Sequence, residues 1–361
     1  MAPRIGLAAR IGIEHAVILA PMAGGAGTPA LAAAVSAAGG LGSLGAAYLS
    51  PGQIEAAAAE VRRATDRPFA VNLFVGGAAG GTHDAGPMLA LLARWHAGLG
   101  IEPPRLPPMP ADPFDAQVEA VLRARVPVFS FTFGIPDRAV LAELRRSGVL
   151  VMGTATTVAE AVALEEAGVD AVVAQGSEAG GHRGTFAAPL EAALVGTLAL
   201  VPQVADAVGV PVVASGGIMD GRGIVAARAL GAAAVQLGTA FLATDESGAP
   251  DAYRAAVLRG RDDATTVTRA FSGRPARGLR NRFIEEVDGG GVPIPPFPLQ
   301  NSLTRPLRAA AAAAGEADAL SLWAGQGVGL ARAGSAAALV ARLAAEAEEV
   351  ARALGAPGAL D

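Results

Sequence analysis

The chain has 361 residues, 52% of them hydrophobic and 17% charged, with a net charge of -5; such a chain buries a large core, and one large domain with an appendage is expected. A mildly acidic balance without a basic cluster offers nothing to neutralise a phosphate backbone, so nucleic acid is excluded as the expected partner. Cysteine is absent and all 28 basic residues are arginine, which excludes disulfides, thiolate metal sites, sulfur nucleophiles and lysine Schiff bases.

Near the start, Arg4 and Arg10 precede an apolar run, Ala16 to Ala20, that stops at Pro21. It is too short for a secretory core or a membrane span, and no later stretch fills a bilayer without charge or proline, so a cytoplasmic location without membrane contact is expected. Short apolar runs then alternate with longer alanine-rich stretches carrying Arg and Glu, the pattern of buried parallel strands and crossover helices. Strands are predicted near Ala16 to Ala20, Leu41 to Leu44, Phe69 to Phe74, Val126 to Thr132, Val149 to Met152, Ala171 to Ala174, Val212 to Ser215 and Ala234 to Leu237. Helices are predicted at Thr28 to Ala38, Pro51 to Ala64, Pro136 to Arg146, Val158 to Ala167 and Gly221 to Leu230, with Gly39, Gly148, Gly168 and Gly231 placed as C-terminal caps.

Eight such units close a barrel, so the expected fold class is α/β, a (β/α)8 TIM barrel. An open doubly wound sheet has the same alternation, but the strand count favours closure. Two segments break the rhythm. Gly76 to Asp112 is rich in Gly and Pro and reads as an irregular excursion over the rim. Thr244 to Asn301 lacks clear strand periodicity and ends in the cluster Pro293, Pro295, Pro296 and Pro298. The expected domains are therefore a barrel, residues 1–243 and 301–361, with a small lid-like subdomain over 244–300. Beyond it, Ala309 to Ala314 and Ser335 to Ala353 read as helices.

Reactive groups of a β/α barrel stand just after its strands. After the seventh comes Ser215-Gly216-Gly217-Ile218 and after the eighth Gln236-Leu237-Gly238-Thr239. Glycines there let backbone N–H groups approach a phosphate, and the following helix start adds its positive dipole end. Either pair alone is also an ordinary tight turn; together, at the two strand ends where barrels hold phosphate, they point to a nucleotide. After the sixth strand comes Gln175-Gly176-Ser177-Glu178-Ala179-Gly180-Gly181-His182. Of the four histidines, His15 precedes the first strand and His83 and His96 lie in the excursion, leaving His182 as the candidate acid/base. Glu178 reads either as a solvated carboxylate or as a partner behind the site. After the first strand, Met22 can lie against a flat apolar ring, and after the third, the Asn72 amide can meet polar ring edges. No HExxH pair, Walker sequence, Rossmann fingerprint or nucleophile elbow occurs, and no metal is expected.

The segments APMAGG (Ala20 to Gly25), AAAVSAAGGLGSLG (Ala32 to Gly45), AVNLF (Ala70 to Phe74), QGSEAGGH (Gln175 to His182), ASGGIMDGRG (Ala214 to Gly223), QLGTAFLAT (Gln236 to Thr244) and WAGQGVGLAR (Trp323 to Arg332) together resemble the nitronate monooxygenases, formerly called 2-nitropropane dioxygenases. The resemblance implies an FMN-dependent oxidoreductase. It implies FMN contacts at Met22, Asn72, Gln175, Gly180, Gly181, Gly217, Gln236, Gly238 and Thr239, and His182 as the catalytic base. The implied substrates are an alkyl nitronate or nitroalkane and O2, the products a carbonyl compound and nitrite; a homodimer is compatible with it. Many members carry a second histidine on the fourth strand where this chain has Thr132, whose hydroxyl donates to an oxyanion but takes up no proton near neutrality. The same barrel also serves NAD(P)H-dependent enoyl-thioester and quinone reductases, and a flavin-binding protein without catalysis is a third reading, distinguished by its indifference to loss of His182.

Overall fold

A computed structural model describes residues 6–76, 83–108 and 112–356. Eight parallel strands form one sheet: β1 (Val17–Leu19), β2 (Gly42–Gly45), β3 (Phe69–Phe74), β4 (Val128–Thr132), β5 (Leu150–Ala155), β6 (Ala171–Gln175), β8 (Val212–Ser215) and β9 (Ala234–Leu237), with the two-residue β7 (Gly181–His182) lying outside it. The sheet runs from β1 through β9, β8, β6, β5, β4 and β3 to β2. Its ends meet, because Leu41 N donates to Val17 O and Leu19 N to Leu41 O, each at 2.9 Å. The sheet is thus a barrel, as the eight-unit count predicts.

Short helix α1 (Leu7–Ile11) adds Leu7 and Ile11 to a cluster with Ala70, Val128, Ala171 and Ala234, residues at the beginnings of their strands. It therefore plugs the N-terminal end of the barrel. The outer ring comprises α2 (Pro29–Ala37), α3 (Pro51–Ala64), α5 (Phe114–Arg123), α6 (Arg138–Arg146), α7 (Val158–Ala167), α8 (Thr197–Ala207) and α9 (Gly221–Ala229), and its apolar faces bury the main core. Ser50 starts α3 with a full capping box, and Gly168, at φ 90°, ends α7 in the left-handed region. The last helix, α13 (Ala336–Leu354), returns to this ring. Glu346 accepts from Gly221 N at 3.1 Å, and a Cβ on Gly221 would stand 2.3 Å from the Glu346 carbonyl carbon. Only glycine permits that approach of α13 to the start of α9.

Two expectations are corrected. The excursion is not irregular throughout: α4 (Gly86–Gly98) occupies much of it, burying Met88, Leu91, Leu92 and His96. The Gly and Pro residues that suggested a loop flank this helix, with Pro87 at its start where a missing N–H costs nothing. Residues 77–82 and 109–111 lie outside the described residues, as does Arg4. The segment after Thr244 does contain strands. Helix α10 (Asp251–Leu258) leads to β10 (Thr265–Thr268) and β11 (Ala276–Leu279), then α11 (Arg282–Gly289). These strands bury only alternate or terminal side chains and carry Arg277 and three threonines, so no apolar run announces them. Helix α12 also begins at Leu299, earlier than its alanine run suggests, and continues to Ala314 through Pro306.

Side chains of α4, α10, α11 and α12, including Met88, Tyr253, Phe283 and Leu303, form a second hydrophobic cluster. This assembly caps the C-terminal mouth of the barrel. Strand β7 joins it in the antiparallel order β10-β11-β7, pairing His182 with Ala276 and Gly181 with Arg277. No helix among the described residues is long and apolar enough to cross a membrane.

Candidate active site

A cavity of about 420 Å³ lies between the C-terminal strand ends and the cap. Its wall includes every residue that the family resemblance implied as a site residue: Met22, Asn72, Thr132, Gln175, Gly180, Gly181, His182, Gly217, Gln236, Gly238 and Thr239. Residues from the ends of six barrel strands, scattered over more than two hundred positions, meet there because parallel strands aim all their C-terminal ends at one mouth.

Some of these residues are engaged in holding the loops themselves. Gln175 accepts from Gly184 N at 2.8 Å and donates through Nε2 to His182 O at 3.0 Å, clamping the backbone on both sides of Arg183. Asn72 Nδ2 donates to Ser130 Oγ at 3.0 Å, with Thr132 Oγ1 at 3.5 Å. Thr239 Oγ1 accepts from Gly325 N at 2.9 Å, fixing the segment after Trp323. Gly216 and Gly217 adopt φ of 123° and 72°, so the turn after β8 has a backbone that other residues would strain. Glu178 is the partner behind the site rather than a solvated group: both its oxygens accept from Thr197 N, at the start of α8, each at 2.9 Å.

His182 projects from β7 into the cavity among the rings of Phe74, Phe133, Phe297 and Trp323, whose centroids lie 5.7–6.3 Å from its own. Its Nε2 stands 2.9 Å from Ser272 Oγ. That hydroxyl donates to Arg274 O at 3.0 Å and accepts from Arg274 N at 3.2 Å. With its single proton committed, Ser272 has only acceptor capacity left, so the imidazole presents Nε2–H to it and keeps the lone pair on Nδ1. Burial, then the positive charges of Arg274 and Arg308, push the imidazole down to about 3. The site therefore holds a neutral histidine with a defined tautomer.

Phe133, at φ 80°, occupies the left-handed region at the end of β4, and the Arg274 guanidinium lies over its ring at 3.7 Å. Beneath the loop, Arg183 is fully buried and donates to Gly176 O, Gln175 O and Ala193 O. Sequence reasoning missed Ser272, the aromatic box, and Tyr48, Asn301, Arg305 and Arg308, which also line the cavity. Trp323 lies within a segment that carried the family resemblance, which was a usable signal. Phe74, Phe133 and Tyr48 stand at or just after the ends of β3, β4 and β2, while Ser272, Phe297, Asn301, Arg305 and Arg308 come from cap elements whose packing over the mouth no local pattern reveals.

The nitronate monooxygenase family model matches residues 6–346. A probable nitronate monooxygenase of Staphylococcus aureus is 44% identical over 318 residues, covering 88% of this chain and 89% of its own. Among solved structures, the nitroalkane oxidase from Streptomyces ansochromogenes superposes with a TM-score of 0.89 at 47% identity, over 96% of this chain and 100% of that one. FabK from Thermotoga maritima superposes at 0.76 with 32% identity, over 96% of each. With its barrel, its cavity and these relatives, the chain belongs to the nitronate monooxygenase family of flavin-dependent oxidoreductases.

Proposed function

We propose that this protein binds FMN in the barrel mouth and oxidises alkyl nitronates, and the nitroalkanes that give rise to them, with O2, yielding a carbonyl compound and nitrite. The observation that carries the reading is one neutral imidazole of fixed tautomer facing a cavity that the Gly216-Gly217 and Gly238-Thr239 turns also line. These turns suit a phosphate, since backbone N–H groups at glycines can approach it closely and no lysine is present to bind it otherwise. Met22 supplies an apolar wall for a flat ring. Asn72, whose Nδ2 is taken by Ser130, keeps its carbonyl oxygen for a ring N–H, and Gln175, Gly180, Gly181 and Gln236 complete the set.

When bound, FMN supplies the electron acceptor that passes reducing equivalents to O2. The chain's own part is to bind, orient and move one proton. His182 Nδ1 takes the α-proton of a neutral nitroalkane while Ser272 holds the ring from behind, and a preformed nitronate needs no such transfer. A base held so far below neutrality is thermodynamically weak. The arginine charges that depress it also stabilise the anion it creates, so the barrier to deprotonation is lowered from the product side. Thr132 lines the cavity as a hydroxyl donor to the nitro oxygens. The subsidiary region over residues 244–300, together with α4 and α12, serves as the lid that excludes water.

The test mixes purified yellow protein anaerobically with ethyl nitronate and, separately, with NADH, following flavin absorbance. Reaction with nitronate and none with NADH is expected; rapid bleaching by NADH alone assigns the site to a reductase. His182→Ala is expected to retain flavin, lose turnover of nitroethane by about a hundredfold or more, and keep part of its activity on the preformed nitronate. Unchanged nitroethane turnover would remove the role given to the imidazole.

A further inference from the structure

Gly216 and Gly217 line the cavity, whereas Thr197 and Glu178, which hold their turn from behind, do not. Thr197 opens α8, and its Oγ1 stands 3.0 Å from Gly216 O and 2.8 Å from Glu178 Oε2. A hydroxyl has one proton, which here is shared between the two acceptors. Glu178 fixes where that hydroxyl sits: both carboxylate oxygens accept from Thr197 N at 2.9 Å, and the Glu178 carbonyl accepts from Gln326 N at 2.9 Å. A carboxylate from the loop between β6 and β7 thus meets the start of α8, whose N-cap residue, Gly196, has no side chain to offer it.

The contact with Gly216 O fixes the next donor along the chain. A peptide unit is planar and trans, so its C=O and N–H point in opposite directions. With Gly216 O turned back towards Thr197, the N–H of Gly217 is turned away from it, to the side on which the cavity lies. That N–H has no hydrogen-bond partner among the described residues. The backbone itself does not forbid the reverse orientation, because Gly216 at φ 123° and Gly217 at φ 72° lie in regions that glycine enters freely. An outside group must therefore decide whether this peptide shows the cavity a donor or an acceptor. The fit around that group is close: a Cβ on Gly216 would stand 2.8 Å, and one on Gly176 2.0 Å, from Thr197 Oγ1.

We propose that Thr197, set in place by Glu178, is the positioning residue of this turn: its hydroxyl keeps the Gly217 N–H, and not the Gly216 carbonyl, facing the nucleotide phosphate, and so gives the protein a preference for phosphorylated flavin. The assignment rests on the FMN reading for the identity of the ligand and goes beyond it in naming the residue that makes the turn a donor. A chain without lysine depends on such backbone donors, and a carbonyl turned towards a phosphate would both remove a hydrogen bond and add a repulsion.

Wild type, Thr197→Val and Thr197→Ser, each loaded with FMN or with riboflavin, are diluted serially, and the fluorescence of released flavin gives both Kd values. Thr197→Val retains the backbone N–H that Glu178 grips and nearly the same side-chain volume, and loses the hydroxyl. Its Kd for FMN is expected to rise about tenfold or more, the effect of one charge-assisted hydrogen bond, with the Kd for riboflavin nearly unchanged. Thr197→Ser, which restores the hydroxyl, is expected to recover most of the preference for FMN. A general support of the barrel mouth would weaken both flavins together, so equal losses overturn the proposal, as does no change in either. If wild type holds neither flavin, the FMN reading falls, and inorganic phosphate decides for Thr197 through the rise in thermal midpoint that it causes. A rise lost in Thr197→Val and regained in Thr197→Ser supports the assignment; equal rises, or none in any of the three proteins, overturn it.

Discussion

Ser272 and His182 lie 90 positions apart and meet because β7, which carries the histidine, pairs with β11 while Ser272 sits in the turn leading into that strand. The serine adds no proton of its own to the chemistry; it fixes which imidazole nitrogen is basic. Ser272→Ala is therefore expected to retain flavin and lower kcat/KM for nitroethane about tenfold, the rate equivalent of ~1.4 kcal/mol for one lost orienting hydrogen bond. The pH profile tests the same residue differently. Because His182 is held down to about 3, it is neutral throughout the usual assay range, and kcat/KM for nitroethane should show no limb near 6.5. A limb near 6.5 that disappears in His182→Ala would contradict the buried, arginine-flanked environment. For stability the sign is clear: between about 6.5 and 3 the unfolded chain takes up a proton that the folded site refuses, so stability falls as pH drops through that window. His182 itself was legible in the sequence, since strand order alone places it at the barrel mouth and the other three histidines elsewhere. Its serine partner and ring neighbours were not, because their proximity is set by pairing between distant segments.

Helix α7 and the loop after β7 are joined by one carboxylate. Glu160 is fully buried and accepts from Thr156 N and Oγ1, Thr185 Oγ1, Phe186 N and Ala187 N at 2.7–2.9 Å. Burial alone would raise its carboxyl, but the donors from Ala187, Thr156 and Phe186 outweigh this and hold it below the usual carboxylate range. Thr185 in turn accepts from Arg274 Nη2 through its carbonyl at 2.9 Å, which links the clamp to the residue supporting Ser272. Glu160→Ala strands several buried donors and is expected to cost ~3 kcal/mol in a denaturant titration. A cost below ~1 kcal/mol would mean that the loop is held by the β7–β11 pairing instead. The wild-type contribution should also weaken as pH falls below the usual carboxylate range, where protonation removes acceptor capacity. At this scale the barrel strands were the most legible feature: continuous apolar runs bounded by glycine mark strands buried on both faces. β10 and β11 escaped because a sheet covering a polar cavity mouth needs no such run, and α8 and the part of α12 before its alanine run because Pro202 and Pro306 lie inside them. Tertiary packing of their apolar faces overrides the local penalty.

Besides the cluster around α1, the described residues form one hydrophobic cluster behind the barrel strands and one in the cap, and the cavity lies where these two meet. A ligand seated there contacts both, so its binding energy is available to hold cap and barrel together. Mass action then sets the expected effect: FMN at a hundredfold excess over its Kd adds about 2.7 kcal/mol to the folded state. For a chain of this size the thermal midpoint should rise on the order of 5 °C, and Trp323, whose ring lies 5.7 Å from that of His182, should report the binding by quenching. Stripping the flavin and restoring it gives both readouts in one preparation. A rise with FMN that riboflavin at equal saturation does not match would locate part of that stabilisation at the phosphate, as glycine turns with close backbone N–H groups require. Equal rises would place it all in ring contacts with Met22 and its neighbours. In that case the turns after β8 and β9 would be connectors alone, and the left-handed Gly216-Gly217 pair would need another physical reason.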